Sequence, residues 1–436
     1  MRMSLTRRGF LKGAMAAVGA PWVIPSSALG LEATPAPSNR VGLGFIGAGN
    51  INANFHVPWF LGSPEAHVAA VCDVMANKRT AFQQRVEQHY AQQRAKGTYS
   101  GCAGYNDFRD LIADKNVDAV VIGVPDHWHT VPALRAAEAG KDVYLEKPMT
   151  LTIEEGQALV ETMRRYGRVF QHGTQQRSDW KFRFAAELAR NERIGKLHTI
   201  EVGSPGGAAT GTPPVEPVPP GFDYDLWLGQ APWAPYTTLR CLNAATWIFI
   251  QDYAGGHVTG WGIHHVDCAH WGMGTDDTGP VEVEGTGVFP RDGLYDSAIT
   301  WKVECRYANG LKMVYGDESQ VAHGVKFIGT EGWVYVHRGA IQTEPKSLLS
   351  TVIRPNEIHL YESPDHHANF LRCIRTRERT ICPVEVAHRS ITVCHLTNIC
   401  LWLGRRVKWN PETEHFVNDP EAERHISRAM RSPWHL

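Results

Sequence analysis

A short apolar run that ends in a glycine turn constrains the fold of this chain more than any other feature. Residues 41–46, Val-Gly-Leu-Gly-Phe-Ile, have the length and composition of a buried strand, and residues 47–51, Gly-Ala-Gly-Asn-Ile, follow at once. Two glycines at this spacing permit a tight turn and a close approach of the backbone to a pyrophosphate. Asn52 holds the position where a third glycine is usual, which predicts a slightly altered turn. The residues expected to contact a dinucleotide here are Gly47, Gly49, Asn50 and Ile51.

An acidic residue ends the second apolar run, at the place where a dinucleotide-binding unit needs one. Residues 68–72 predict a strand, and Asp73 follows it, 24 residues after Gly49. A carboxylate at this position binds the ribose hydroxyls and repels a 2′-phosphate, so we expect NAD rather than NADP. The alternative interpretation of Asp73 is a turn residue at the end of a strand.

Helical patterns then alternate with short apolar runs. Residues 118–124 and the run that begins at Asp142 predict two more buried strands, with helices expected over 131–139 and 153–166. This alternation predicts an α/β fold with a doubly wound parallel sheet. We assign residues 36–165 to this Rossmann domain.

Polar residues follow both of these strands. Ligands of open parallel sheets bind at the carboxyl ends of the strands. We therefore expect the polar residues after these two strands to line the same crevice. Lys147 is the candidate acid or base there, since a lysine beside a substrate hydroxyl can transfer its proton. A surface ion pair of Glu146 and Lys147 is the alternative. The residues expected to line the cofactor side are Pro125, His127, His129, Glu146 and Lys147, and Trp128 is expected on the substrate side.

Composition excludes several classes of protein. The chain has 436 residues, of which 43% are hydrophobic and 20% charged, with a formal net charge of -1. The chain has no block of like charges of the kind that would indicate nucleic-acid binding. It also has no apolar run as long as a membrane-spanning helix. The nine cysteines form no Cys-x-x-Cys pair, which argues against a zinc knuckle.

The amino terminus resembles a twin-arginine export signal. Residues 4–12, Ser-Leu-Thr-Arg-Arg-Gly-Phe-Leu-Lys, precede a mildly apolar segment, and Ala28-Leu29-Gly30 fits a small-x-small cleavage site. We expect residues 1–30 to be a signal peptide and the mature protein to be periplasmic. No cysteine precedes Cys72, so no lipid anchor is expected. A basic amphipathic terminus is the alternative.

The second half of the chain, residues 166–436, is predicted to be an α+β substrate domain. Residues 281–289, 297–306, 311–317, 324–329 and 333–337 predict the strands of a large sheet. The segment 204–221 is rich in proline and glycine and is interpreted either as a surface loop or as a lid.

A predicted helix over 262–273 carries the remaining candidate catalytic residues. His264 and Asp267 share a face of it, and a histidine near a helix start is biased toward the neutral ring that suits a general base. Asp267 is expected to orient that ring or to bind a hydroxyl. The several histidines here also suggest a metal site as an alternative. Their spacing is not that of zinc ligands, so no metal is predicted. Arg177, which follows the last Rossmann strand, is expected to reach the crevice.

These motifs resemble the glucose–fructose oxidoreductase and inositol dehydrogenase family (Gfo/Idh/MocA). The resemblance rests on the glycine turn with His56 downstream, Asp73, residues 125–129, Glu146-Lys147-Pro148, residues 262–267 and the closing region. It implies a Rossmann domain followed by an open-faced, mainly antiparallel sheet, and a homodimer or homotetramer. It also implies a cis peptide before Pro148.

One position departs from the family. Inositol dehydrogenases of the family have an acid four residues before the histidine that corresponds to His264, and this chain has Gly260 there. Either Lys147 and His264 act without this partner, or Asp267 or His265 replaces it.

The resemblance predicts hydride transfer between a tightly bound nicotinamide cofactor and a sugar, polyol or glycoside hydroxyl. The catalytic residues are expected to be Lys147, His264 and Asp267, and the substrate-binding residues Arg177, Trp128, His265 and Tyr253. The periplasm supplies little free NAD, so an exported enzyme is expected to retain its cofactor. Two alternatives remain: an NAD-dependent glycosidase with a redox-neutral cycle, and a non-enzymatic sensor that keeps NAD as structure.

Overall fold

The first of two sheets is the expected parallel sheet. The computed structural model describes residues 39–436, so the expected signal peptide lies outside the described residues. The sheet has six strands in the order β3-β2-β1-β4-β5-β6, and every pair is parallel. The strands are β1 (Val41–Ile46), β2 (Ala66–Cys72), β3 (Ala103–Tyr105), β4 (Ala119–Ile122), β5 (Asp142–Leu145) and β6 (Phe170–His172).

Apolar side chains on both faces explain why these runs form the centre of the sheet. β1, β4 and β5 are buried along their whole length, as strands of a parallel sheet covered on both sides must be. β6 belongs to the same sheet, so the first domain extends past residue 165, where the sequence interpretation ended it. The helices of this half are Val57–Gly62, Ala76–His89, Ala91–Ala95, Phe108–Ala113, Thr130–Glu138 and Ile153–Tyr166.

The second sheet is mixed and mainly antiparallel. Its nine strands have the order β13-β12-β11-β7-β10-β9-β8-β14-β15, and β7 and β10 are the parallel pair. All five strands predicted for this half are present, whereas β13, β14 and β15 were not predicted. The strands are β7 (Leu197–Ser204), β8 (Glu282–Val288), β9 (Thr300–Arg306), β10 (Lys312–Asp317), β11 (Gly324–Gly329), β12 (Trp333–His337), β13 (Ala340–Glu344), β14 (Val407–Asn410) and β15 (His415–Phe416).

The helix Gly262–Met273 lies at the centre of the second half, and all of its residues are buried. It packs against the second sheet and against the helices Trp180–Arg190 and Val384–Leu403. A Cβ atom at Gly272 would lie 2.3 Å from the Phe327 ring, so glycine permits this close packing. Burial on all sides places the histidines of this helix inside the protein. Within residues 39–436, no helix combines the length and the apolar character needed to cross a bilayer.

Residues 222–250 form a cover over the edge of the first sheet. Three short helices, Tyr224–Leu228, Thr238–Cys241 and Ala244–Trp247, surround an aromatic cluster of their own. The cover is fixed to the end of β2, where Asp223 N donates to Val74 O (3.0 Å) and Met75 bridges Phe222. The preceding segment 204–221 has no regular structure beyond Ser204, but Gly207 N donates to Ile299 O (2.7 Å) and Glu216 N to Tyr236 O (3.0 Å). It is therefore tied down and leads into the cover.

Candidate active site

A cavity of about 670 Å³ lies between the cover and the carboxyl ends of β1, β2, β4 and β5. This is the position at which open parallel sheets bind their ligands. Its walls include most of the residues expected from the sequence on the cofactor side. These are Gly47, Gly49, Asn50, Ile51, Asp73, Pro125, His129, Glu146 and Lys147. Trp128, which was expected on the substrate side, lines the same cavity.

The glycine turn fits a pyrophosphate. Gly47 has φ of +92°, and a Cβ atom there would lie 2.4 Å from the Gly123 carbonyl, so only glycine is tolerated. At Gly49 no atom lies within 4 Å of an added Cβ, which leaves the backbone open to the cavity. Asn52, in the third-glycine position, is buried and donates from Nδ2 to Gly47 O (2.7 Å) and Ile46 O (3.2 Å). The side chain thus closes the turn.

Asp73 connects the glycine turn to the end of β2. Its Oδ2 accepts from Ala48 N and its Oδ1 from Met75 N, both at 2.7 Å. Each oxygen keeps a lone pair for a ribose hydroxyl. Lys78 also lines the cavity, so a cation stands near the same end. The residues present therefore fit the adenosine ribose of a nicotinamide dinucleotide.

Lys147 meets the second half of the chain. Its Nζ donates to the Gly260 carbonyl (3.0 Å), and the Lys147–Pro148 peptide is cis, which confirms that prediction. A Cβ atom at Gly260 would lie 2.5 Å from Ile248 Cδ1, so a larger residue fits only if the Ile248 side chain moves. The backbone carbonyl therefore takes the place of the missing acid as the partner of Lys147.

Glu146 is held by a buried array of histidines. Glu146 Oε1 lies 3.0 Å from His56 Nε2, and His56 Nδ1 lies 2.7 Å from His367 Nε2. Burial raises the pKa of Glu146, but the hydrogen bond from His56 and the charge of Lys147 outweigh it and leave the pKa at about 2. Because the carboxylate is ionised, His56 Nε2 donates to it, and His367 Nε2 can donate to the freed His56 Nδ1. Sequence reasoning did not find His367, which belongs to a helix far along the chain.

Asp126 is a functional candidate that the sequence interpretation passed over. It lines the cavity, is 2% exposed, and its Oδ2 has no hydrogen-bond partner among residues 39–436. Burial raises its pKa well above the ordinary value, although the charge of Lys147 opposes the shift. Its place beside the predicted Pro125 and His127 was the available signal.

His127, in contrast, does not line the cavity. Its Nε2 contacts the Trp227 carbonyl (3.0 Å), and its backbone N donates to Tyr253 O (3.0 Å). The assignment of His127 to cofactor binding is therefore corrected: it anchors the cover. Trp128 donates from Nε1 to the same Trp227 carbonyl (2.9 Å) and also lines the cavity.

His129 lines the cavity and joins the two strand ends. Its ring lies between Pro148 O at Nδ1 and Val124 O at Nε2. A neutral imidazole donates to only one of these carbonyls, and the Nδ1 contact is the shorter.

His264 lies near Lys147 but in a closed environment. It is 3% exposed, and its Nδ1 has no partner among the residues that the structure describes. Burial, reinforced by the positive charges of Lys147 and Arg338, lowers its pKa well below the ordinary value. The ring is therefore neutral, as its place in the first turn of the helix predicted.

Asp267 and Arg177 form an ion pair with each other, and neither side chain lines the cavity. Arg177 Nε and Nη2 donate to the Asp267 carboxylate (2.7 and 2.9 Å), and Asp276 accepts from Arg177 as well. Ser390 Oγ donates to Asp267 Oδ1 (2.9 Å), and neither Arg177 nor Asp267 is more than 2% exposed. The predicted roles of Asp267 in catalysis and of Arg177 in substrate binding are corrected: this buried ion pair joins two helical segments.

His265 and Tyr253 also do not line the cavity. His265 is fully buried, and its Nδ1 lies 2.7 Å from the Gly203 carbonyl of β7. Tyr253 is fully buried in the aromatic cluster of the cover, where its hydroxyl accepts from Arg240 Nη1 (3.1 Å). Their predicted contacts with substrate are corrected, since both side chains stabilise the second half of the chain. No group of three or more metal-ligating side chains occurs within residues 39–436.

Comparison with known proteins agrees with this geometry. Residues 41–174 match the family model described as "Oxidoreductase family, NAD-binding Rossmann fold", and residues 208–436 match "Oxidoreductase family, C-terminal alpha/beta domain". The fold and the cavity thus define an NAD-binding oxidoreductase. The chain belongs to the Gfo/Idh/MocA family.

Among curated relatives, the chain is 24% identical to the uncharacterized oxidoreductase YrbE of Bacillus subtilis, over 79% of this chain and 89% of that protein. It is 33% identical to glycosyl hydrolase family 109 protein 1 of Shewanella sp. (strain ANA-3), over 37% of this chain and 38% of that protein. This second alignment covers little more than one domain.

Two solved structures show how widely the fold is shared. The WlbA dehydrogenase from Bordetella pertussis, in complex with NADH and UDP-GlcNAcA, has a TM-score of 0.60 at 18% identity, over 85% of this chain and 99% of that one. The aldose-aldose oxidoreductase from Caulobacter crescentus has a TM-score of 0.59 at 19% identity, over the same shares of the two chains. At these identities the likeness concerns the fold alone.

Proposed function

We propose that the protein transfers hydride between a retained nicotinamide cofactor and a hydroxyl-bearing carbon of a sugar, polyol or glycoside. The observation that carries this proposal is the pair of Lys147 and Asp126, which line the same cavity as the glycine turn and Asp73. One end of the cavity fits a dinucleotide, and this pair supplies the proton transfer that oxidation of a hydroxyl requires.

Each residue around Lys147 has its own role in the proposed reaction. The glycine turn and Asp73 would hold the dinucleotide, which would supply a nicotinamide ring able to accept hydride from a carbinol carbon. Lys147 takes the hydroxyl proton, and the Gly260 carbonyl at 3.0 Å from its Nζ fixes the amino group. Asp126, with its free Oδ2, accepts that proton or holds a substrate hydroxyl.

We infer that the cofactor is NAD and that the enzyme keeps it. The Asp73 carboxylate disfavours a 2′-phosphate, although Lys78 nearby acts in the opposite direction. The cover supports retention, because Trp227, Trp247 and Ile248 line the cavity opposite the sheet. Release of the nucleotide therefore requires the cover to move.

The test combines nucleotide analysis with a substrate panel. Gently purified protein is denatured, and the supernatant is analysed by mass spectrometry, where about one NAD per chain is expected. Native protein is then mixed with aldoses, polyols and glycosides while absorbance of reduced nicotinamide is followed. Bound NAD with no reduction by any compound would contradict hydride transfer, and absence of nucleotide would contradict retention.

A glycosidase is the second candidate function, favoured by the similarity of part of the chain to glycosyl hydrolase family 109 proteins. A redox-neutral cycle needs one group to remove the proton next to a transient ketone and another to protonate the leaving oxygen. Lys147 and Asp126 meet that requirement. Release of nitrophenol from nitrophenyl glycosides without net NADH would identify this activity.

We propose that the twin-arginine signal exports the folded protein to the periplasm. All nine cysteines are buried and unpaired, which suits a chain that folds before it enters an oxidising compartment. Cell fractionation of a variant with Arg7→Lys and Arg8→Lys tests this: the mature form should leave the periplasmic fraction. An unchanged distribution would contradict export by this route.

We also propose a homodimer or homotetramer, with the outer face of the second sheet as the contact surface. The support is the resemblance to the family together with the size of the nine-stranded sheet. Light scattering should give a mass of two or four chains, and a monomer would contradict the proposal.

A further inference from the structure

A patch of aromatic and basic side chains lies next to Lys147 and has no part in the reaction proposed above. It consists of Trp261, His264, His323 and Arg338 and is called the Trp261 patch. The Trp261 ring centroid lies 5.7 Å from that of His264 and 5.6 Å from that of His323. The patch adjoins the candidate active site through the backbone, because Lys147 binds the carbonyl of Gly260, the residue before Trp261.

Arg338 stands at the tip of the hairpin between β12 and β13. Its guanidinium carbon lies 4.9 Å from the Trp261 ring centroid. With the Gln176 amide turned to suit its neighbours, the amide nitrogen donates to His264 O (2.7 Å) and the oxygen accepts from Arg338 Nε (3.2 Å). Two contacts thus hold the planar guanidinium in place over the ring.

The outer edge of this guanidinium has no acidic partner. Of the carboxylates in residues 39–436, none forms an ion pair with Arg338. Glu146, the acid of the nearby strand end, is already bound by His56 and Gln175 (3.0 and 2.8 Å). A fixed arginine fork without a carboxylate can accept one from a ligand.

His264 adds a second unfilled contact. The ring is nine-tenths buried or more, and its Nδ1 has no partner among the described residues. The charges of Lys147 and Arg338 both act to lower the pKa of His264, so both cations lie close enough to influence it. A ligand anion placed among these groups would offset two positive charges and meet an unused ring nitrogen.

We propose that the Trp261 patch binds an anionic group of the sugar substrate, either the carboxylate of a sugar acid or the phosphate of a sugar phosphate. The inference rests on the proposed function for the orientation of the sugar. The Arg338 fork binds two oxygens of the anion, and the Trp261 ring packs against the apolar face of the pyranose. Lys147 then reaches a hydroxyl at the other end of the same sugar.

The experiment compares matched sugars on the holoenzyme. Glucose, glucuronate, glucose 6-phosphate, galactose and galacturonate are tested for reduction of bound NAD and for binding by calorimetry. Arg338→Met removes the fork and keeps the stem, while Arg338→Lys keeps a charge without the fork. Arg165→Met is the matched control, because Arg165 also stands over a ring, Tyr166 at 5.9 Å, far from the cavity. Circular dichroism and NAD content show that each variant is folded.

We expect at least one anionic sugar to exceed its neutral counterpart about tenfold or more in kcat/KM or in affinity. That ratio should fall at least about tenfold in Arg338→Met and less in Arg338→Lys, with Arg165→Met unchanged. A comparison of glucuronate and galacturonate with glucose 6-phosphate shows whether the patch binds a carboxylate or a phosphate.

Two results overturn the inference: equal use of neutral and anionic sugars, or a preference that survives Arg338→Met. If neutral sugars reduce NAD under those results, the proposed function stands and the subsite fails. If anionic sugars bind through Arg338 and no sugar reduces NAD, the subsite stands and the proposed function fails.

Discussion

At the scale of single residues, neighbours in sequence have separate tasks because their side chains leave the strand end in different directions. Asp126 faces the cavity, whereas His127, one position later, binds the cover. The same division occurs at the next strand end, where Glu146 is bound by His56 and Lys147 reaches Gly260. A motif therefore identifies the segment that holds the site, and packing selects the residue that faces the ligand.

Asp126→Asn should lower kcat about 10- to 100-fold, because the amide cannot accept a proton. Burial raises the pKa of Asp126, so its ionisation should produce a limb in the pH profile of kcat/KM above the ordinary range for a carboxyl. The variant should lack that limb. Steady-state kinetics from pH 4 to pH 9, with the exposed Asp292→Asn as control, measure both effects, and an unchanged profile would count against the role.

His56→Phe should destabilise the fold by about 3 kcal/mol, because it leaves the buried Glu146 carboxylate without its main partner. The folded pKa of Glu146, about 2, lies below its ordinary value of 4.5. The stabilisation is therefore present above about pH 4.5 and is lost as the pH falls toward 2. Urea unfolding should show the difference between wild type and variant shrinking over this interval.

A double variant separates the ion pair from packing at this site. His56→Phe combined with Glu146→Gln should be less destabilised than the sum of the two single changes, because the charge that His56 compensates is gone. Additive effects would show that the array contributes packing alone.

At the scale of elements, the start of the helix Ile153–Tyr166 combines a good cap with an electrostatic cost. Thr152 Oγ1 accepts from Glu155 N (3.2 Å), and Glu155 Oε2 accepts from Leu151 N (2.7 Å), which satisfies the first turn. Glu155 is also buried, and burial raises its pKa from 4.5 to about 7. The cap is thus most favourable when the carboxyl is protonated.

Glu155→Gln should change the pH dependence of stability. A raised folded pKa means that the contribution of Glu155 is fully present below about pH 4.5 and declines as the pH rises through 7, by about 3 kcal/mol at most. The glutamine variant keeps an acceptor oxygen without this decline. Its unfolding free energy relative to wild type, from urea titrations at pH 5 and pH 7.5, should improve at the higher pH. Parallel values at the two pH values would refute this account.

At the scale of the whole molecule, the cavity exists because two distant parts of the chain close on each other. The Rossmann half supplies the glycine turn and Asp73, and the cover supplies Trp227, Trp247 and Ile248. Asp223 joins the two, since its Oδ2 accepts from Asn106 Nδ2 (2.9 Å) and its Oδ1 from Leu226 N (3.0 Å). Retention of the cofactor is expected to depend on this joint.

Asp223→Ala should raise the rate of nucleotide loss about tenfold, because it removes a helix cap and a link to the first half at once. Nucleotide content per chain, measured after repeated gel filtration, tests this. Asp419→Ala is the control, since Asp419 also caps a short helix (Ala422 N to Oδ1, 3.1 Å) and lies outside the cover. Equal retention in both variants would contradict a closing role for the cover.

Sequence patterns predicted the elements well because they depend on local physics. The helix over 153–166 and the strands over 324–329 and 333–337 were predicted with the bounds that the structure has. Regular spacing of apolar residues, caps and turn glycines acts over a few residues and is visible in the sequence. β13 escaped prediction, because Thr343 is the one buried residue of Ala340–Glu344 and the strand has no clear alternation. β14 and β15 also escaped it, because they are only four and two residues long.

The sequence by itself determined the parallel sheet, the glycine turn, Asp73 and the place of Lys147, because each depends on residues close together in the chain. Tertiary structure decided which polar groups face the cavity. Arg177 and Asp267, 90 residues apart, neutralise each other in the core, and Lys147 finds its partner in a backbone carbonyl 113 residues away. A buried charge must be paired, and the partner is set by packing between elements, which no local pattern records.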